Sequence, residues 1–241
     1  MRLNIFNNSD EAIKAVAAYF IKLAQQAISE NGQFNVSLSG GSSPKKLYEL
    51  LASTNLKEQI DWTKVYFFFG DERYVPHDHA DSNYLMSHNA LFAPLNINEK
   101  QIFKVDTELD PASAALDYQR CICNHFNDEP VFDLVLLGLG DDAHTASLFP
   151  HTSLLWIDEE FVKEVYLEDK AVYRISMTAP LINKAKNIAF LTFGAGKADA
   201  IKFVLEADKD IDNYPAQLIN PSNGDLQWFI DEAAAAKLDK K

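Results

Sequence analysis

Short, continuous apolar runs alternate along this chain with longer stretches whose apolar residues recur every third or fourth position. LNIF (Leu3–Phe6), FNVSL (Phe34–Leu38), KVYFFFG (64–70), FDLVLLG (132–138), NIAFLTFG (187–194) and LQWFID (226–231) are runs of the first kind. Such runs predict strands covered on both faces. FVKEVYL and VYRISM alternate instead, as strands with one wet face do. Ser9 or Asp10 can cap a helix that reaches about Ser29, with Ile13, Ala17, Phe20, Ile21, Ala24 and Ile28 on one face. Pro44–Ala52, Ser82–Phe92, Pro111–Asn127 and the stretch from about Lys197 to Ala207 also read as helices, with EAAAAKL as a closing one. Strand and helix alternate at βαβ spacing, which predicts α/β architecture with a mostly parallel central sheet flanked by helices on both faces. No repeat, low-complexity tract or Gly/Ser linker interrupts the pattern, so residues 1–241 are expected to form a single domain.

In sheets of this type ligands bind beyond the carboxyl ends of the strands. The residues just after Leu38, Phe69, Leu137 and Phe193 are therefore the informative ones. After Leu38 comes SGGSSPKKLYELL. Gly40 and Gly41 let the backbone approach a ligand, Ser42 and Ser43 add hydroxyls, and Pro44 suits the first position of a helix. The amino end of that helix presents free N–H groups to an anion. The spacing matches neither GxGxxG nor GxxxxGKS, which argues against a dinucleotide or P-loop site. After Phe69 comes GDERYVPHDHADSNY, where Arg73 offers a phosphate or carboxylate fork and can equally pair with Asp71 or Glu72. His77 and His79 form an H-x-H spacing but lack the further ligands of a zinc site. After Leu137 comes GLGDDAHTASLFP, with Asp142 two residues before His144 and a short helix-like segment behind them. A carboxylate beside an imidazole can orient it and keep it basic. After Phe193 comes GAGKADA, which brings Lys197 to a helix start as a point charge for the same anion. Each feature alone has an ordinary structural reading. Four of them on one edge of one sheet make a ligand site the better reading.

Charge narrows the ligand. Asp and Glu total 35 against 22 Lys and Arg, a formal charge of −13. Such a surface repels nucleic acid and anionic membrane, so neither is expected as a partner. An anionic small molecule needs a local cluster of donors to override the global field. The N-terminal stretch carries no signal or transit pattern and no run spans a bilayer, so a cytoplasmic location is expected. Cys121 and Cys123 lie two apart in a predicted helix and point away from each other, so they are expected to be reduced, structural thiols. Oligomeric state stays open between monomer and weak dimer.

The segments LSGGSSPKKLYELL, FFFGDERYVPHDHADSNY, FDLVLLGLGDDAHTASLFP and GAGKADAIKFVLE, with the tail PAQLINPSNGDLQWFIDEAAA, resemble the 6-phosphogluconolactonases in order and spacing from about Leu38 to Ala236. DAHTASLFP and DERYVP are the most specific of them. The resemblance implies the Rossmann-like fold shared with glucosamine-6-phosphate deaminase and ribose-5-phosphate isomerase. It implies hydrolysis of 6-phospho-D-glucono-1,5-lactone to 6-phosphogluconate in the oxidative pentose phosphate pathway, with no cofactor and no metal. By position, His144 matches the catalytic histidine and Asp142 the acid before it. Gly40, Gly41, Ser42, Arg73 and Lys197 match substrate-binding positions, and Asp71 the aspartate of the DER motif. Ser43 is expected to join the phosphate loop. Ser42 and Ser147 are not in a G-x-S-x-G elbow, which disfavours an acyl-enzyme. One departure stands out: the family usually reads Asp-Gly-His where this chain has Asp142-Ala143-His144. The competing readings are a deaminase-like isomerase, whose histidine is usually followed by Ile-Ala-Phe rather than HTASLFP, and a non-catalytic sugar-phosphate sensor.

Overall fold

The structure, a computed structural model, describes residues 1–239. A six-stranded sheet runs in the order β1-β9-β8-β5-β2-β3. Its strands are β1 (Arg2–Phe6), β2 (Phe34–Leu38), β3 (Val65–Phe69), β5 (Leu134–Leu137), β8 (Asn187–Thr192) and β9 (Asp225–Asp231), and every neighbouring pair is parallel. The continuous apolar runs have a simple cause. Along β5, Leu134 and Leu136 enter one core while Val135 and Leu137 enter the other. Helices α1 (Ser9–Asn31) and α2 (Ser42–Leu51) cover the first face, along with the segment made of α3 (Asn83–Ser87), a π-helical turn (His88–Phe92) and α4 (Ala93–Leu95). The second face is covered by α5 (Pro111–His125), α6 (Ala179–Ile182), α7 (Ala198–Glu206) and a small sheet. No helix among the described residues is long and apolar enough to cross a membrane.

That small sheet is an addition to the architecture expected above. Gly70 alone separates β3 from β4 (Asp71–Arg73), which pairs antiparallel with β7 (Val172–Met177), itself paired with β6 (Val162–Leu167). The Gly70 amide still bonds the Leu38 carbonyl, while its own carbonyl takes the Met177 amide, so one residue hands the chain from one sheet to the other. The two strands read as half-wet are thus the central strand, β7, and an edge strand, β6, of a separate antiparallel unit.

Three local expectations are corrected. Asn8, one residue earlier than expected, caps α1 through its side chain on the Glu11 amide at 3.0 Å. The segment after His144 forms turns rather than a helix, because Ala143, Ala146 and His151 all take positive φ. EAAAAKL is also turns. The Asp231 carboxylate accepts the Ala234 amide at 2.9 Å and the Asp231 carbonyl the Ala235 amide at 3.0 Å, so the stretch opens as a capped helix does but runs on only as turns.

Two buried tyrosines fix the strand ends that carry the site. The Tyr48 hydroxyl of α2 accepts the Ser39 amide at 3.0 Å and donates to the Ser39 carbonyl at 2.9 Å. The Tyr118 hydroxyl of α5 does the same at Phe69, at 2.7 and 3.1 Å. Burial pushes both phenols well above their ordinary range, so both remain donors. Tyr118→Phe leaves a buried N–H and C=O without this partner and should lower the unfolding free energy by about 1–3 kcal/mol in a denaturant titration. Unchanged stability would show that the hydroxyl does not hold the strand end.

Candidate active site

A cleft of about 280 Å³ opens at the carboxyl ends of β2, β3, β5 and β8. Gly40, Gly41, Asp71, Arg73, His144 and Lys197 all line it, so six of the residues singled out from the sequence converge.

The first strand end is shaped by glycine. A Cβ on Gly40 would run into the Asn83 carboxamide, which is fixed by a 2.9 Å bond to the Asp71 carbonyl. Gly41 sits at φ 106° as the N-cap of α2, and no side chain caps that helix. Pro44 is the third helical residue rather than the first, so the free amides at this end belong to Ser42 and Ser43. Their side chains line a neighbouring cleft of about 240 Å³ with Lys46, Gly194 and Asp231, not the cleft of His144. Of the SGGSS loop, Ser39, Gly40 and Gly41 line the cleft of His144.

The second strand end separates the three residues of DER. Glu72 turns inward and is 2% exposed. It accepts the amides of Asn83, Tyr84 and Arg73 and the Ser82 hydroxyl, at 2.7–3.1 Å. Burial pushes its carboxyl up, and those backbone amides pull it back. Glu72 thereby clamps β4 to the amino end of α3. Asp71 faces the cleft and accepts the Ser147 hydroxyl at 2.6 Å. Arg73 makes no ion pair among the described residues, and its Nη1 donates only to the Asp81 carbonyl at 2.6 Å. The internal ion pair considered for it is therefore absent. Directly across the antiparallel pair stands Arg174, also in the cleft wall. Burial, and then the neighbouring Arg73, push the Arg174 guanidinium below its ordinary range. Like charges opposite each other in a strand pair are unfavourable, and an anion between them relieves the cost.

At the third end the Asp142 carboxylate accepts from His144 Nδ1 at 2.5 Å and from the His144 amide at 3.2 Å. Burial disfavours the charged carboxylate, yet the bond and charge of His144 outweigh it and hold the carboxyl at about 2. Asp142 lies behind the imidazole and lines an adjacent cleft instead. Gly140 has a steric reason to be glycine, since a Cβ there would collide with the imidazole and the Asp142 carboxylate. Phe149 stacks on the imidazole at 4.0 Å between centroids. At the fourth end, Lys197 reaches the cleft and holds the exposed Asp141 at 2.6 Å. A surface pair of this sort is worth about 0–1 kcal/mol and yields readily to a dianion.

Arg174, Lys170 and Phe149 also line the cleft and were not singled out from the sequence. Arg174 sits at a polar position of the alternating VYRISM strand, the one signal that could have exposed it. His77 and His79 are occupied locally, one on the Val105 carbonyl at 2.7 Å and the other on the Asp81 amide at 3.1 Å.

Comparison with known proteins identifies the chain's relatives. The family described as glucosamine-6-phosphate isomerases/6-phosphogluconolactonase matches residues 7–228. A 6-phosphogluconolactonase of Synechocystis sp. is 40% identical, with 88% of each chain covered. One of Nostoc sp. is 41% identical at the same coverage. Among solved structures, the devB protein superposes with a TM-score of 0.89 at 34% identity, over 98% of this chain and 99% of that one. The 6-phosphogluconolactonase from Trypanosoma cruzi superposes at 0.87 with 27% identity, over 99% and 97%. The chain belongs to the glucosamine-6-phosphate isomerase/6-phosphogluconolactonase family.

Ala143, where that family usually has glycine, takes φ 62° and is 1% exposed. An L-residue in the left-handed region carries about 1–2 kcal/mol of strain, which glycine avoids. Ala143→Gly should therefore cost at least about 1 kcal/mol less than Ala17→Gly, made at an equally buried position inside α1. Equal costs in parallel thermal melts would show that the backbone at Ala143 is unstrained.

Proposed function

We propose that the protein hydrolyses 6-phospho-D-glucono-1,5-lactone to 6-phospho-D-gluconate, the lactone-opening reaction of the oxidative pentose phosphate pathway. The observation that carries the reading is that His144, hydrogen-bonded from behind by Asp142, lines one cleft together with Arg73, Arg174 and Lys197. The relatives named as lactonases support the same chemistry.

With Nδ1 donating to an ionised carboxylate, Nε2 carries the lone pair and takes part in no hydrogen bond among the described residues. Nε2 removes a proton from a water as its oxygen attacks C1. The resulting oxyanion takes donors from the cleft, where the Gly40 and Gly41 backbone stands. The tetrahedral intermediate collapses by breaking the bond between C1 and the ring oxygen. The imidazolium returns its proton to that oxygen, and the new carboxylic acid ionises in solvent. Asp142 keeps the imidazole in the correct tautomer and supports its charge. The phosphate, remote from C1, binds between Arg73 and Arg174 with Lys197 drawn off Asp141, which spends binding energy on orienting the lactone.

His144→Ala should lower the catalysed rate by about 10²–10⁴-fold once uncatalysed opening is subtracted. Wild-type turnover in that variant would remove the general-base role. Arg174→Ala should raise KM for the phosphorylated lactone about 10–100-fold and leave unphosphorylated gluconolactone unaffected. Equal effects on both would refute the phosphate role. Asp142 stays ionised from about pH 4 upward, so Asp142→Asn should depress turnover at every pH above that without adding an ionisation to the profile. Turnover of glucosamine 6-phosphate with none of the lactone would favour the isomerase side of the family.

A further inference from the structure

Phe149 belongs to two clefts at once. It lines the cleft of His144 on one side, and on the other a cleft of about 600 Å³ bordered by Asp142, Glu164 and Tyr166. Its ring is 9% exposed and lies nearly parallel to the imidazole, at 4.0 Å and 23°. The Lys170 ammonium sits over the same ring at 4.5 Å from its centroid. Lys170 lines the cleft of His144 together with Phe149. Lys170 comes from the turn joining β6 to β7, which ties the stack to the small sheet that also carries Arg174.

We propose that Phe149 is the positioning residue for His144: it walls the imidazole off from the second cleft and fixes the plane in which Nε2 meets the water. This rests on His144 being the general base. The physical need is specific. The hydrogen bond to Asp142 fixes one ring nitrogen but leaves the imidazole free to tilt about that bond. Gly140 offers no side chain to resist the tilt, since a Cβ there would occupy the imidazole's own space. The phenyl face is the remaining flat surface against which the ring can be held. Without it the two clefts merge and the imidazole gains room to swing away from the substrate. A misplaced catalytic group can lose up to about 10²-fold in rate.

The test compares Phe149→Leu, Phe149→Tyr and His144→Ala on the phosphorylated lactone, with thermal melts of each. Leucine fills much of the volume but has no flat face, whereas tyrosine keeps the face. Phe149→Leu should lower kcat about tenfold with KM within about twofold, while Phe149→Tyr keeps kcat within about threefold of wild type. A merely structural role predicts instead that kcat follows melting temperature across the two variants. Phe149→Leu turning over at the wild-type rate would overturn the positioning role if His144→Ala is inactive. If His144→Ala is itself active, the general-base reading fails and the positioning role falls with it. Should Phe149→Leu fail to fold, Phe149→Met supplies the same comparison, and a wild-type kcat there has the same meaning.

Discussion

Two guanidinium groups face each other across hydrogen-bonded strands in a protein of formal charge −13. Arg73 and Arg174 are held there by structure with other work to do: β4 is locked by the buried Glu72, and β7 is paired on both sides. Neither arginine is neutralised by an ion pair among the described residues, although acidic side chains outnumber basic ones throughout the chain. The arrangement is unfavourable when empty and favourable around a phosphate, and the proposed function depends on that asymmetry. It also explains how an acidic protein can accept an anionic substrate: the global field is overruled only where cations converge.

The rest of the fold brings those arginines and the imidazole to one cleft. Parallel strands end together, so one edge of the sheet becomes a platform for four loops. Tyr48 and Tyr118 bind the backbone of the strand ends, and Asn83 braces the Gly40 loop against Asp71. Small residues stand where ring or carboxamide must touch backbone. Ala143 is the exception, since its positive φ marks a place where the chain tolerates strain beside the Asp142–His144 pair.

Much of this was legible in the sequence, for physical reasons that also explain what was not. β2 runs from Phe34 to Leu38 as its composition predicts, because burial on both faces leaves an unbroken apolar run. The convergence of His144, Arg73 and Lys197 on one cleft was legible because parallel strands bring the loops at their carboxyl ends together. Arg174 was hidden because its meaning depends on register with Arg73, a pairing far away in sequence. Phe149 was hidden because an apolar residue reads as core whether it packs on leucine or on imidazole. The closing helix was misread because alanine-rich composition and the Asp231 cap both favour a helix, whereas the stretch runs on as turns. Ser42 and Ser43 were placed one cleft away from where their sequence neighbours suggested, because the phase of a helix that begins at Ser42 turns their side chains aside.

The account's central claim is spatial: one small molecule bridges the imidazole and the opposed arginines. The most direct measurement is a crystal structure of the protein with 6-phosphogluconate bound. The account predicts phosphate oxygens within hydrogen-bond distance, about 3 Å, of both Arg73 and Arg174, with the C1 carboxylate beside His144 Nε2. A phosphate seated instead against Ser42 and Ser43 in the neighbouring cleft, or a C1 carboxylate pointing away from His144, would contradict it.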